Sequence, residues 1–463
     1  MQNSGKSEEG GRMGVVGRLK YDYDNRYYIE GSFRYDGSDN FAPGYRWGFF
    51  PSVAAAWDIT EEPFFKALNL SNVNLLKIRA SYGKTGTETD VERFGYLSTY
   101  SLKEDVICIG GKSLFGFSEG ALVAPELLTW YTRNSLNYGL DYAFLNNRIK
   151  GNIDYFYYVT EGGLMSPKDR YTTPLGKDLP QIKSDSKHRR EGFEFNAKWS
   201  DNVEDFTYEI GTNMTYYNNL WVKKADEKIT DLKNPWKRVT HQTDHYKDLI
   251  YMANGLYHTP EQILNSARRL QSSETKLGDI SYQDINGDGK IDSEDQIRYG
   301  MPTEPHFTYG VDFLLGYKGF TLSGLFYGTG KRNIIINNGY RMGEARVLFD
   351  KVQLDYWRED NQDASFPRTS LTSNVNGGNN QEKSTFWVKN ASYLRLKNLT
   401  LGYDFKYSVL KNVPWISTCK INLTGTNLFT ISGINDFQDP ETEVDYAYYP
   451  FQRVYSLGVL IGF

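Results

Sequence analysis

The sequence predicts an all-β protein, a transmembrane antiparallel β-barrel with long loops at one end. Three observations predict it. Apolar and polar residues alternate with a period of two through about thirteen segments, which sets alternate side chains on opposite faces of a strand. Several segments reach ten residues or more, whereas a globular strand averages ~5–6 and a tilted bilayer-crossing strand needs ~9–11. Short turns also alternate with long connections, the layout of an up-and-down membrane barrel.

The segments lie near 14–24, 26–36, 46–59, 74–83, 131–145, 148–160, 189–200, 205–218, 307–318, 320–328, 392–405, 418–429 and 451–463. In the second, Tyr27, Ile29, Gly31, Phe33 and Tyr35 share one face, and Tyr28, Glu30, Ser32, Arg34 and Asp36 the other. The third repeats this with Trp47, Phe49, Val53, Ala55, Trp57 and Ile59. Leu136, Tyr138, Leu140, Tyr142 and Phe144 form a row in the fifth, and Ile149, Ile153, Tyr155, Tyr157 and Val159 one in the sixth. Phe307, Tyr309, Val311, Phe313, Leu315 and Tyr317 follow in the ninth. Tight turns are predicted at Asp24-Asn25, Asn146-Asn147 and Lys318-Gly319, with a short polar link at 200–205. The stretches 84–130, 161–188, 219–306, 329–391 and 430–450 are the long connections. With an odd number of strands, first and last run the same way, so an even-stranded barrel is expected to have further strands before residue 1.

Composition narrows the class. Across 463 residues, 53 Lys+Arg against 57 Asp+Glu leave a net charge of -4, so a nucleic-acid role has no electrostatic footprint. Nothing approaches the ~20 apolar residues of a membrane helix. The 36 Tyr, 26 Phe and 9 Trp suit interfacial girdles at strand ends. Loop aromatics such as Tyr446, Tyr448 and Tyr449, or Tyr356 and Trp357, are candidates for stacking on sugar rings. Cys108 and Cys419 match no metal spacing and read as unrelated thiols. The start, MQNSGKSEEGGRMG, lacks an apolar core and a cleavage-site pattern, so it does not read as a signal peptide.

Specific stretches carry a resemblance. STFWVKNASYLRLKNLTLGYDF (384–405), DYWREDNQDASFPR (355–368), NLFTISGINDFQDPE (427–441) and the ending YPFQRVYSLGVLIGF resemble the SusC/RagA family of TonB-linked outer-membrane proteins. YYIEGSFRYDGSDNF and LKIRASYGKTG upstream are similar to family segments too. The resemblance runs through nearly the whole chain. It implies that residues 1–463 are the C-terminal portion of a TonB-dependent receptor-like barrel, about the last 13 strands of a 22-stranded barrel, with the plug domain absent from this stretch. It further implies location in the bacterial outer membrane, capping by a SusD-like surface lipoprotein, and import of glycan fragments or peptides energised by a TonB-ExbB-ExbD system whose contact region is missing from this chain.

The sharpest local motif is DINGDGKIDSED, within 279–298 of a long loop. Asp284, Asn286 and Asp288 stand at positions 1, 3 and 5 of a twelve-residue calcium loop, and Gly289 at the sharp turn of position 6. The Lys290 carbonyl takes position 7, Asp292 position 9 and Asp295 position 12. Hard oxygen donors at this spacing suit a structural Ca²⁺ that stiffens an outer loop. An Asp in place of the usual Glu at position 12 makes bidentate closure harder, and no EF-hand helix pair flanks the loop. The alternative is a polar turn that binds nothing.

The final row, Tyr455, Leu457, Val459, Ile461 and Phe463, is the candidate signal for the barrel-assembly machinery, since the resemblance implies recognition of a terminal aromatic. No nucleophile elbow, P-loop, zincin motif or dinucleotide fingerprint occurs, so no enzyme activity is expected. Two alternatives remain at this stage: a soluble cell-surface β-sandwich with a dockerin-like calcium loop, and a passive pore.

Overall fold

The computed structural model describes residues 9–89, 91, 93, 96–97, 100–119, 128–165, 182–243, 248–269, 275–336, 354–369, 375–442 and 451–463. Thirteen strands form one sheet in which every strand pairs with its sequence neighbours. They are β1 (Arg12–Tyr23), β2 (Tyr27–Ser38), β3 (Trp47–Asp58), β4 (Val73–Thr87), β5 (Tyr131–Phe144), β6 (Ile149–Glu161) and β7 (Lys187–Val203). The series continues with β8 (Phe206–Lys223), β9 (Phe307–Tyr317), β10 (Phe320–Thr329), β11 (Tyr393–Asp404), β12 (Thr418–Ser432) and β13 (Val454–Gly462). All pairings are antiparallel, and each of the thirteen predicted segments overlaps one strand.

The tight turns gather at one end because only certain residues close them. A two-residue hairpin turn that follows the strand twist needs positive φ at both central positions. Asp24 and Asn25 both sit at φ 52, and the Arg26 N–H donates to the Tyr23 carbonyl. Lys318 (φ 45) and Gly319 (φ 85) do the same between β9 and β10. Leu145, Asn146 and Asn147 are all left-handed between β5 and β6, and Glu204 is left-handed between β7 and β8. Strand pairing runs on to Val203, so the β7–β8 link is tighter than the polar stretch 200–205 suggests. The opposite end carries the long connections.

Register separates the two faces of the sheet. Cross-strand partners Tyr35–Phe49, Ile29–Ala55, Tyr155–Phe193, Trp199–Ile210 and Leu423–Leu457 lie on one face. Much of that face is open, with Leu457 at 71% and Ile29 at 57% exposure. A continuous exposed apolar face across so many strands far exceeds what a soluble monomer tolerates. No second large sheet covers it among the described residues, which sets the sandwich alternative aside. No helix of the described residues is long and apolar enough to cross a membrane.

One irregularity was hidden in the sequence. A β-bulge at Lys397 shifts the register of β11 against both β10 and β12, matched on β12 by Asn427 at φ 54. It resets the alternation. Leu394 and Leu396 above it and Leu399, Leu401 and Tyr403 below it share the apolar face despite opposite parity.

The dry core lies in the loops rather than under the sheet. Ile250, Tyr251, Ile280, Tyr282, Ile291, Ile335, Trp357, Phe366 and Trp387 cluster together from the two connections 219–306 and 329–391. β1 and β13 pair on one side only among the described residues, so the sheet has two open edges.

Candidate functional site: the inner wall and the loop layer

The face opposite the apolar rows carries paired charge. Arg18 reaches Glu30 at 2.6 Å, Arg34 reaches Asp36 at 3.0 Å, and Lys198 pairs with Glu209. Arg79 holds Asp141 through two nitrogens at 2.8 and 2.9 Å and also contacts Asp154 at 3.1 Å. A hollow of about 910 Å³ on this wall is bordered by Arg12, Arg18, Arg34, Lys84, Glu30 and Asp36. A polar wall with compensated charges can pass a hydrated solute while the opposite face stays apolar.

Above the wall, the loop layer is fixed by ion pairs around its apolar core. The carboxylate of Asp279, fully buried, accepts from Arg368 at 2.6 and 3.2 Å and from Asn380 at 2.9 Å. Arg269 binds Glu382 and Asn379 and lies 5.8 and 5.9 Å from the Tyr251 and Tyr282 ring centroids. Burial pushes the Tyr282 phenol above its ordinary range, only partly offset by Arg269. Trp357 packs against Gly278, whose φ of +80 and lack of a side chain admit the indole. Trp357 is thus a core residue and not an open stacking platform. Tyr356 is half-buried, with Arg358 4.9 Å from its ring centroid. Tyr446, Tyr448 and Tyr449 lie outside the described residues.

The calcium-type loop is built into this layer. The Asp284 oxygens accept from Gly287 and Gly289 N–H groups, Asn286 from Asp288, and Asp288 from Lys290. Gly287 and Gly289 take positive φ, as the tight turn needs. Lys290–Ile291 pairs with Arg268–Arg269, and Ile291 plugs into the loop core. Asp292 accepts from the Glu294 N–H. Asp295 is fully buried and accepts from Ile285, Asn286 and Asp292 N–H groups, so it closes the loop on itself. Each carboxylate oxygen has a second acceptor position, so these bonds leave the donor set capable of meeting a cation. Among the described residues, no group of three or more His, Cys, Asp or Glu side chains is gathered for a metal. The potential set depends on the Asn286 amide and the Lys290 carbonyl as well.

A third cluster joins wall and loops. Arg395, 1% exposed on β11, binds Asp439 at 2.5 Å and Glu441 at 2.8 Å. Tyr393 donates to Glu441 at 2.6 Å, and Lys397, at the bulge, reaches it at 2.9 Å. Burial alone would raise the Glu441 carboxyl, but Tyr393, Lys397 and Arg395 outweigh it and hold the group below its usual range.

At the turn end, Tyr27 and Trp57 face each other across β2 and β3 and both donate to Glu62. Phe463 stacks on Trp415 with centroids 6.1 Å apart.

No protein-family model matches the chain. Curated relatives do match over its length. TonB-dependent receptor P3 of Formosa agariphila is 27% identical over 100% of this chain and 46% of that protein. TonB-dependent receptor SusC of Bacteroides thetaiotaomicron is 28% identical over 97% of this chain and 44% of that protein. The chain is similar over its length to SusC-type TonB-dependent receptors. It spans about half the length of those it matches. The RagAB peptide importer in the open-open state superposes with a TM-score of 0.76 at 20% identity, covering 98% of this chain and 47% of that one. The RagAB peptide transporter gives 0.74 at 21% identity. These likenesses show the fold: the thirteen-stranded sheet is built like a large part of the barrel of those proteins.

Asp284, Asn286, Asp288, Lys290, Asp292 and Asp295 lie on one loop tied together by side-chain to backbone hydrogen bonds. Tyr455, Leu457, Val459 and Ile461 line the exposed apolar face of β13, with Phe463 just beyond it. Sequence reasoning missed Ile291, the apolar residue that anchors the loop, and the Arg395 cluster. The latter joins two of the motifs behind the resemblance, 384–405 and 427–441, so their juxtaposition was the available signal.

Proposed function

We propose that this chain supplies barrel wall to a TonB-dependent importer that carries nutrient oligomers, glycan fragments or peptides, across the outer membrane. The observation that supports it most is similarity to SusC over 97% of this chain together with a sheet that is apolar on one face and charge-lined on the other. The wall and loops orient and pass cargo, and the curated relatives are receptors by name, so the protein is read as a transporter. A SusD-like lipoprotein is the partner over the loop layer, and a TonB-ExbB-ExbD system the energy source. Disruption of the gene in its native bacterium should abolish growth on one class of oligomer as sole nutrient. Unchanged growth on a broad panel of glycans and peptides would contradict the reading. Steady single-channel conductance by the whole protein without any partner would favour a passive pore.

The loop 284–295 is proposed to hold one structural Ca²⁺ through Asp284, Asn286, Asp288, the Lys290 carbonyl, Asp292 and Asp295, the last of which also fixes the backbone around it. Bound at this place, the ion would add rigidity to the loop layer. Equilibrium dialysis of the whole protein should lose one Ca²⁺ on Asp284→Ala plus Asp288→Ala; equal binding by variant and parent would reject the site. The row ending at Phe463 is proposed as the contact for the barrel-assembly machinery. Deleting Phe463 should reduce the outer-membrane amount several-fold, and unchanged assembly would count against it.

A further inference from the structure

Between the loop ends of β10 and β11, Asn333–Ile335 pairs antiparallel with Val388–Asn390. The Ala391 N–H donates to the Arg332 carbonyl at 2.9 Å, which extends the ladder by one rung. Residues opposite one another on such a ladder share a face. Ile335 and Val388 therefore enter the main loop core together, as observed. Ile334 and Lys389 lie on the other face, where Ile334 packs with Ala391 and Ile434. Arg332, two residues before Ile334, belongs to this second face as well. Two cations thus stand diagonally on one small surface, both partly buried.

Among the described residues no carboxylate pairs with either cation, and the Arg332 Nε is buried without an acceptor. Glu441 acts on Arg332 through space but is already engaged by Tyr393, Arg395 and Lys397. Burial lowers the Lys389 ammonium with no opposing partner. Two other buried arginines of the loop layer do have a counter-charge, Arg368 in Asp279 and Arg269 in Glu382. A partly desolvated cation without a counter-charge is unfavourable unless something meets it.

We propose that Arg332 and Lys389 form an oxyanion subsite at the loop end of the wall, which takes a carboxylate or sulfate group of incoming cargo. The guanidinium offers a planar fork suited to two oxygens, and the ammonium a point charge beside it. The subsite rests on the importer reading and narrows it to cargo that carries acidic groups.

Titration calorimetry on the whole protein in detergent tests it with two matched pairs. One pair is Ala-Ala-Glu amide against Ala-Ala-Gln amide; the other is N-acetylgalactosamine 6-sulfate against N-acetylgalactosamine. At least one charged probe should bind tenfold or more tightly than its neutral partner, and the pair that shows it identifies carboxylate or sulfate as the source. Arg332→Gln plus Lys389→Gln should remove the difference, while Arg332→Lys plus Lys389→Arg should keep most of it. Equal binding within both pairs, or a difference that survives the double Gln variant, overturns the proposal. If that variant does not fold, protection of Lys389 from amine acylation by the charged probe alone reads the same contact in the unaltered protein, and absence of protection overturns it. A protein that binds the charged probe through these residues yet supports no growth on any oligomer would fail the importer reading and not this one.

Discussion

Arg395 shows how one side chain can join two parts of the molecule. It leaves the wall of β11 and spends its guanidinium on Asp439 and Glu441, partners 44 and 46 residues away. Removing one member of a buried ion pair strands the other charge, at a cost of about 3–5 kcal/mol. Arg395→Ala should therefore free the segment 433–442, seen as faster amide hydrogen exchange there with β1–β8 unchanged; unaltered exchange would show that the cluster does not hold the loop. The same cluster sets a pH response. Because Glu441 is held below its usual range, its contribution is complete above the unfolded-state value of ~4.3 and is lost as pH falls through the lower folded value. Exchange at 433–442 should stay slow at pH 5 and rise only in more acidic buffer. The contrast with the calcium-type loop explains what could be read at this scale. Asp284 to Asp295 are contiguous, so spacing alone places them together. Arg395 looked like a polar residue in an alternating strand, because its partners lie beyond a turn and another strand.

At the scale of the element, alternation revealed the strands and turn chemistry revealed their ends. Asp24-Asn25 and Lys318-Gly319 were legible because few residues tolerate positive φ. The bulge at Lys397 was not, since one extra residue changes the parity of a row without changing its composition. The loop core was hidden for a different reason. Its members come from short stretches with no periodicity, and only their meeting in space makes them a core. The faces of β12 give a direct prediction. Leu423, opposite Leu457, lies mid-strand on the apolar face, and Asn422 on the other. Leu423→Arg should cost about 2–4 kcal/mol in a bilayer, whereas Asn422→Arg should be tolerated. Reversible unfolding in lipid vesicles measures both, and equal penalties would mean that the two faces do not differ in solvent.

For the whole molecule, the sheet and the loop layer bury apolar surface in opposite ways. Loops fold around a dry core of their own, while the wall turns its apolar rows outward and keeps its paired charges on the inner side. The edges at β1 and β13 are open among the described residues, and backbone groups left unpaired in lipid are costly. Everything functional follows from the outward direction of those rows, and spin labels on β13 of the whole protein in a bilayer report it. Labels at Leu457, Val459 and Ile461 should be accessible to oxygen dissolved in lipid, and labels at Ser456, Gly458 and Leu460 to a water-soluble nickel chelate, alternating residue by residue. Uniform accessibility along the strand, or a protein that remains monodisperse in detergent-free buffer, would contradict it.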